Sequence, residues 1–360
     1  TSECPSNVDM ARLKAEWQQH RHDREGVPFR TRLVADTARM LRWAGVVPWA
    51  YNLAVSTPGL SHLVAWIAGF SLRRSLPRLP GTSLSQWHRR REATRAAAPR
   101  QELAAVGTVH LFCDEFTDTL DAPIGIKAVE LLESLGYRVV LPRHVDSGRA
   151  HLSKGLVREA RTLASENVRL LAELVSDEAP LVGIEPSAIL SFRDEYPDLV
   201  PEPQAAAARQ LAARTFTIEE FLAREAAAGR ISAEAFDDRP RRISLHGHCH
   251  QKALGSLEPS VRSLSLPRGH VVETIPSGCC GMAGSFGYER EHFEVSMQIG
   301  ELVLFPAVRA AAADTLVAAA GTSCRHQIKD GTGRIALHPV EILHLALRRD
   351  GLVAGGQSRP

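Results

Sequence analysis

Four of the chain's six cysteines fall in its last third: Cys249, the adjacent pair Cys279-Cys280, and Cys324. Four thiolates are the donor set of a tetrahedral zinc site or of an iron–sulfur cluster. The pair stands in Ser277-Gly278-Cys279-Cys280-Gly281-Met282-Ala283-Gly284. Two neighbouring thiolates reach one centre only where the chain bends sharply, and Gly278, Gly281 and Gly284 permit that bend. Their amide N–H groups could also bond sulfur, which helps set a cluster's potential. Free cysteines often serve as small buried hydrophobes. Their convergence on a Gly-rich turn and on strand ends argues for ligands instead. Thiol–disulfide chemistry fits poorly, because adjacent cysteines form only a strained ring and no C-x-x-C is present.

His246, His248 and His250 alternate around Cys249. On a strand they would share one face, opposite the cysteine. They and His326 are expected to pack around the thiols, with a Cys3His zinc site as the alternative. Tyr288, Glu289, His292 and Arg325 lie near the cysteines in sequence but form no nucleophile–base–orienter set, so hydrolytic chemistry is excluded. Glu185-Pro186-Ser187 reads as a helix start. Near the other end, Cys4-Pro5 matches the closing C-P of the ferredoxin run C-x2-C-x2-C-x3-C-P, with Thr1-Ser2-Glu3 as its x3. The first residue is Thr rather than Met, so the earlier cysteines of that run are expected upstream, in a longer protein.

These groups need a scaffold, and the pattern supplies one twice. In 106–200 a strand at Thr108–Cys113 precedes a helix, a strand at Tyr137–Leu141, a long helix over about 153–176, and a strand at Pro180–Ile184. In 241–350 the order recurs, with strands at Ile243–Cys249, Val271–Ile275 and Thr315–Ala319 and a short one at Ile335–His338. Strands alternating with helices predict an α/β fold, here two tandem repeat-related units with mainly parallel sheets. Cys249, Cys279-Cys280 and Cys324 all fall at strand C-termini, where open α/β sheets hold their ligands. The first copy keeps the spacing but has Cys113, Asp146-Ser147 and Ala188 at the matching places. It is expected to carry no cysteine-ligated centre, and Cys113 has no assigned ligand role.

Residues 1–80 read as a helical segment carrying the ferredoxin remnant, with a cap at Ser6 or Asn7 and a second helix from Pro28 to about Trp43. From Trp43 to Leu72 there is no Asp, Glu, Lys or Arg. Pro48, Asn52, Pro58 and His62 break that stretch, so a buried helical hairpin is expected over 43–72, with peripheral membrane contact or docking to a partner domain as alternatives. Residues 81–105 read as a linker, 201–240 as a helical connector and 351–360 as a tail. A net charge of +2 and 23% charged residues do not suggest nucleic-acid binding. The polar N-terminus has no apolar signal core, which predicts a cytoplasmic setting with free thiols.

Cys249 in Leu245–Leu254, Gly278-Cys279-Cys280-Gly281, and Cys324 in Gly321–Ile328 together resemble the cysteine-rich "CCG" domains. These domains occur in heterodisulfide reductase and in the glycolate oxidase iron–sulfur subunit. With Glu3–Met10 and Gly183–Ser187 included, the chain is most similar to the C-terminal part of fused FAD-dependent 2-hydroxy-acid dehydrogenases of the D-lactate or D-2-hydroxyglutarate type. The resemblance implies an iron–sulfur electron-transfer module (4Fe–4S) with Cys249, Cys279, Cys280 and Cys324 as ligands, Cys4 as a ligand of a ferredoxin cluster, and Gly278, Gly281 and Gly284 shaping the pocket. It implies an upstream FAD domain as partner and a quinone or cytochrome as acceptor, at the inner face of the plasma membrane. A fragment of this kind would not turn over substrate alone. The family pattern closes with C-x2-C, whereas Cys324-Arg325-His326-Gln327 supplies one cysteine, so a single cluster in the second copy is the expectation. The alternative is a scaffold, zinc-stabilised or metal-free, that docks the flavin domain.

Overall fold

The computed structural model describes residues 8–97 and 106–348, so Cys4 and the tail lie outside the described residues. Two four-stranded sheets form the body. The first comprises β1 (Gly107–Phe112), β2 (Tyr137–Val140), β3 (Leu181–Gly183) and β4 (Thr215–Thr217). The second comprises β5 (Arg241–His246), β6 (His270–Thr274), β7 (Leu316–Ala319) and β8 (Ala336–Leu337). Their spatial orders are β2-β1-β3-β4 and β6-β5-β7-β8, and every pairing is parallel. The same order in both sheets makes the duplication a property of the fold. In each unit the chain reverses its direction of travel across the sheet beside the first strand, which opens a crevice at the strand C-termini.

The two units share one apolar core. Val109 and Leu111 of β1 cluster with Ile243 and Leu245 of β5, and helices Ala122–Ser134 and Pro339–Ala346 contribute Leu131, Leu132, Val340 and Leu343. The central strands β1, β3, β5 and β7 are mostly buried and read as near-continuous apolar runs, whereas the edge strand β6 leaves Val271, Glu273 and Thr274 exposed.

Several elements differ from the expectation. The connector 201–240 contains β4 between helices Glu202–Ala213 and Ile218–Ala227, so the first sheet has a fourth strand. The stretch read as a linker holds helix Leu84–Ala97, whose Leu84 is fully buried against Gly125. The first helix, Met10–Glu25, is capped by the Asp9 carboxylate, which accepts from the Ala11 and Arg12 amides. The helix expected from Pro28 to Trp43 breaks at Asp36 into Phe29–Ala35 and Thr37–Ala44. The uncharged stretch does form a hairpin, Pro48–Ser56 and Leu60–Ala68, but it is not buried. Trp43, Trp49, Leu53, Leu63, Trp66 and Ile67 are each more than half exposed. An absence of charge looks the same in sequence whether the apolar face meets a core or solvent.

Arg74 ties the segment after the hairpin to the second unit. Its buried guanidinium donates to the Gly287 carbonyl (2.7 Å) and the Ser296 hydroxyl (2.9 Å) and lies 3.3 Å from Asp330. Arg74→Met should remove about 3 kcal/mol of stability, because Asp330 and the carbonyl lose their buried donor. The urea midpoint should fall at unchanged slope. An unmoved midpoint would show that solvent replaces the guanidinium.

Candidate metal centre

β5 ends at His246, earlier than the alternation suggested. His248 turns the chain into helix Cys249–Leu254 by capping it: its Nδ1 accepts from the His250 amide at 3.2 Å. Cys249 therefore opens a helix and stands at an exposed rim. Cys279 and Cys280 follow β6 in a turn whose tightness depends on Gly281. Gly281 has φ 95°, and a Cβ there would lie 2.3 Å from the Ser296 carbonyl oxygen. This bend lets both neighbouring sulfurs face inward, and the Gly281 amide donates to Cys279 Sγ at 3.3 Å. Gly284 also has a positive φ, while Gly278 does not and has open space where a side chain would be. Cys324 is buried in the first turn of helix Thr322–Thr332, after β7.

The structure brings the four sulfurs into a series. Cys249 reaches Cys279, Cys279 reaches Cys280, and Cys280 reaches Cys324. Neighbouring thiol groups hold Cys279 well below the usual thiol range, and Cys280 with the nearby His246 does the same for Cys324. Cys249 and Cys280 are correspondingly raised. Cys113 is not part of the series. It is buried at the end of β1 with Asp118 as its sulfur's partner at 3.6 Å, and burial raises its thiol.

His246 joins the thiols. Its ligand nitrogen, Cys280 Sγ and Cys324 Sγ lie within 4.8 Å of one another, all on buried residues. His246 Nδ1 is 2.7 Å from the Ser277 hydroxyl, and among the described residues its buried Nε2 has no nitrogen or oxygen partner and only the thiols beside it. Buried polar atoms are almost always satisfied. A buried imidazole nitrogen converging with two thiol sulfurs is a donor set that a metal ion or cluster could use, so the residues present fit such a group. His250 is held neutral, its pKa pushed down to about 3 mainly by burial. His326 turns away to Tyr288, whose hydroxyl is 2.7 Å from its Nδ1. Glu289, Glu291 and His292 also cluster, but Lys154 and Arg30 already neutralise the carboxylates.

Other supporting groups have no signature in the spacing. Lys252 donates to the Ser277 carbonyl (2.6 Å) and to that of Gly278, fixing the entry to the cysteine turn. Glu185 caps its own short helix through Ser187, as the Glu-Pro-Ser run predicts, and its other oxygen accepts from the Thr322 amide at 2.8 Å. Arg325 crosses to Asp121 at 2.5 Å. The start of helix Ala122–Ser134 and the end of β3 in the first unit therefore brace the helix that carries Cys324. In the first unit the place of the cysteine pair is taken by Ser147, whose hydroxyl and amide donate to the buried Glu115 carboxylate (2.7 and 3.0 Å). A carboxylate–hydroxyl network fills the crevice that thiols fill in the second unit.

No protein-family model matches the chain. Individual proteins do. D-2-hydroxyglutarate dehydrogenase of Escherichia coli (strain K12) is 28% identical over 351 residues, 95% of this chain and 33% of its own length. One of the subunits of the anaerobic glycerol-3-phosphate dehydrogenase of the same strain is 24% identical over 298 residues, 82% of this chain and 72% of its own. Lactate utilization protein A of Geobacillus kaustophilus (strain HTA426) is 28% identical over 250 residues, 66% of this chain and 96% of its own. The chain thus spans about a third of the length of the D-2-hydroxyglutarate dehydrogenases it matches. The similarity is with two dehydrogenases and a lactate utilization protein, and with the D-2-hydroxyglutarate dehydrogenases it runs nearly end to end.

Proposed function

We propose, for a chain related along 95% of its length to D-2-hydroxyglutarate dehydrogenases, that its second unit is an iron–sulfur electron-transfer module. The observation that carries the reading is the gathering of four free cysteines after three strands, with the donor atoms of Cys280, Cys324 and His246 within 4.8 Å of one another. Cys249, Cys279, Cys280 and Cys324 would hold the cluster, of 4Fe–4S composition, and Cys4 would ligate a second one. When bound, such a cluster supplies a one-electron carrier. The chain's own groups position it. The Gly281 amide donates to a ligand sulfur, and Gly281 and Gly284 shape the turn. Lys252 fixes the turn's entry at Ser277 and Gly278.

The donor would be a flavin in a partner dehydrogenase domain that oxidises D-2-hydroxyglutarate or D-lactate, in a cytoplasmic setting. The acceptor would be a quinone or a cytochrome. On this reading the chain alone does not turn over substrate.

One observation favours a second reading. His246 with Cys280 and Cys324 offers three converging donors, and one more thiol would complete a Cys3His zinc site serving as a scaffold. Anaerobic reconstitution followed by EPR and iron, sulfide and zinc analysis separates the two. The expected result is iron and sulfide in equal amounts, lost in Cys280→Ser and retained in Cys113→Ser. Stoichiometric zinc without iron would establish the scaffold, and a cluster unaffected by Cys280→Ser would remove the ligand assignment.

A further inference from the structure

Among the described residues, the hairpin's outer face gathers many of the exposed bulky apolar side chains. Trp49 and Leu53 are four residues apart on helix Pro48–Ser56, and Leu60, Leu63 and Ile67 follow three- and four-residue spacing on helix Leu60–Ala68, so each helix exposes one stripe. Trp43, Val46, Val47 and Trp66 extend the surface, with Trp43, Trp49 and Trp66 at 71%, 71% and 61% exposure. The inner side is fixed to the body. Val55, Ala65 and Ala68 are buried, the Asn52 side chain makes two 2.8 Å bonds with Leu79, and the Ser71 amide donates to the Tyr288 carbonyl at 2.7 Å. The exposed face is therefore held rigidly outward and has no place in the core.

Its charge is one-sided. From Thr37 to Arg91 the sequence contains no Asp or Glu. Arg39, Arg42, Arg73 and Arg78 border the apolar stripes and are all exposed. Arg42 and Arg73 pair with Asp146 and Glu294, while Arg39 and Arg78 meet no carboxylate within salt-bridge distance among the described residues. We propose that this face docks on an anionic lipid surface, with the tryptophans and leucines entering the headgroup boundary and Arg39 and Arg78 meeting lipid phosphates. Aromatic and aliphatic side chains with uncompensated cations beside them, here Arg39 and Arg78, are a composition that lies in such an interface. Each helix has nine residues and is about 13 Å long, far short of the ~30 Å hydrocarbon core, so the hairpin would lie on the membrane and not cross it. No helix among the described residues is long and apolar enough to cross one.

Docking would bring the metal site to the membrane. Segment 71–74 bonds to Gly287 and Tyr288, in the loop that follows Cys279-Cys280. The surface stands independently of what the thiols hold, so the test is run on metal-free and reconstituted protein alike. The chain is sedimented with vesicles of phosphatidylcholine alone and of phosphatidylcholine with phosphatidylglycerol, and tryptophan emission is recorded. The expected result is binding to the anionic vesicles with a blue shift. The double variant Trp49→Ser/Trp66→Ser, at two exposed positions, should weaken it by about tenfold or more, and Arg39→Gln/Arg78→Gln should weaken it several-fold at low salt. An absence of binding to anionic vesicles would overturn the proposal, as would binding that the tryptophan variant leaves unchanged. Association of the dehydrogenase partner that the tryptophan variant abolishes, without vesicle binding, would reassign the face to protein docking.

Discussion

Arg325→Met is expected to remove about 3–5 kcal/mol of stability, the cost of leaving one member of a buried ion pair alone. The Arg325 guanidinium is 2.5 Å from the Asp121 carboxylate of the first unit and also donates to the strand-end carbonyls of Ala319 (3.1 Å) and Ala320. Both side chains are largely buried, at 9% and 15% exposure. Without the arginine, Asp121 keeps the Thr322 hydroxyl as a donor, and the Ala319 carbonyl loses its side-chain partner. The double variant Asp121→Asn/Arg325→Met should recover part of the loss, about 1–3 kcal/mol, because it removes the stranded charge. Chemical unfolding of the three variants gives the cycle. Metal content is the second readout, since Cys324 sits in the same first helical turn as Thr322 and Arg325. Arg325→Met should lower occupancy even where the protein stays folded. A loss under about 1 kcal/mol, or a double variant no better than the single, would show that the two units do not depend on this pair.

The same contact explains what the sequence could and could not disclose. The order of strands and helices was legible because buried parallel strands read as short apolar runs between turn signals, and the second copy repeats them. The convergence of the four cysteines was legible for the same reason: strand C-termini of an open sheet meet at one edge. Side chains that cross between units left no periodic trace. Asp121–Arg325 and Glu185–Thr322 join residues more than a hundred positions apart, and nothing local distinguishes them. His246 was visible as a histidine beside a cysteine, but its alternation with His248 and His250 suggested a longer strand. The strand stops because His248 caps the following helix, a role that Ser, Thr, Asp and Asn usually fill. β4 was missed because three residues cannot display a period of two. Helix Leu84–Ala97 was missed because what fixes Leu84 is the close approach of Gly125, a tertiary contact.

Glu219→Gln is expected to make the protein more stable above neutral pH, by up to about 3 kcal/mol, and to leave it nearly unchanged at low pH. Glu219 lies in the first turn of helix Ile218–Ala227, is 1% exposed, and among the described residues neither carboxylate oxygen has a well-formed hydrogen bond. The cation-forming group facing it is His338, 3.9 Å away and fully buried, but burial drives its pKa well below the usual histidine range, so it stays neutral. Thr217 offers a hydroxyl on one side, while Glu220, already paired with Arg193, and Glu185 add negative charge. Burial therefore raises Glu219 from 4.5 to about 7. Between those two values the folded state keeps a proton that the unfolded chain has released. Stability from this group is thus complete below about pH 4.5, declines as pH rises through the window, and is lost above about pH 7. At about 1.4 kcal/mol for each pH unit of that window, the loss is about 3 kcal/mol. Glutamine has the shape of the neutral acid and no proton to lose, so it keeps the low-pH stability at every pH. Urea unfolding of wild type and variant at pH 5 and pH 8 reads the difference directly, and contributions from the thiols cancel between the two proteins. A difference that is the same at both pH values would mean that Glu219 is already ionised in the folded chain at pH 5, and that water or a cation reaches it in solution.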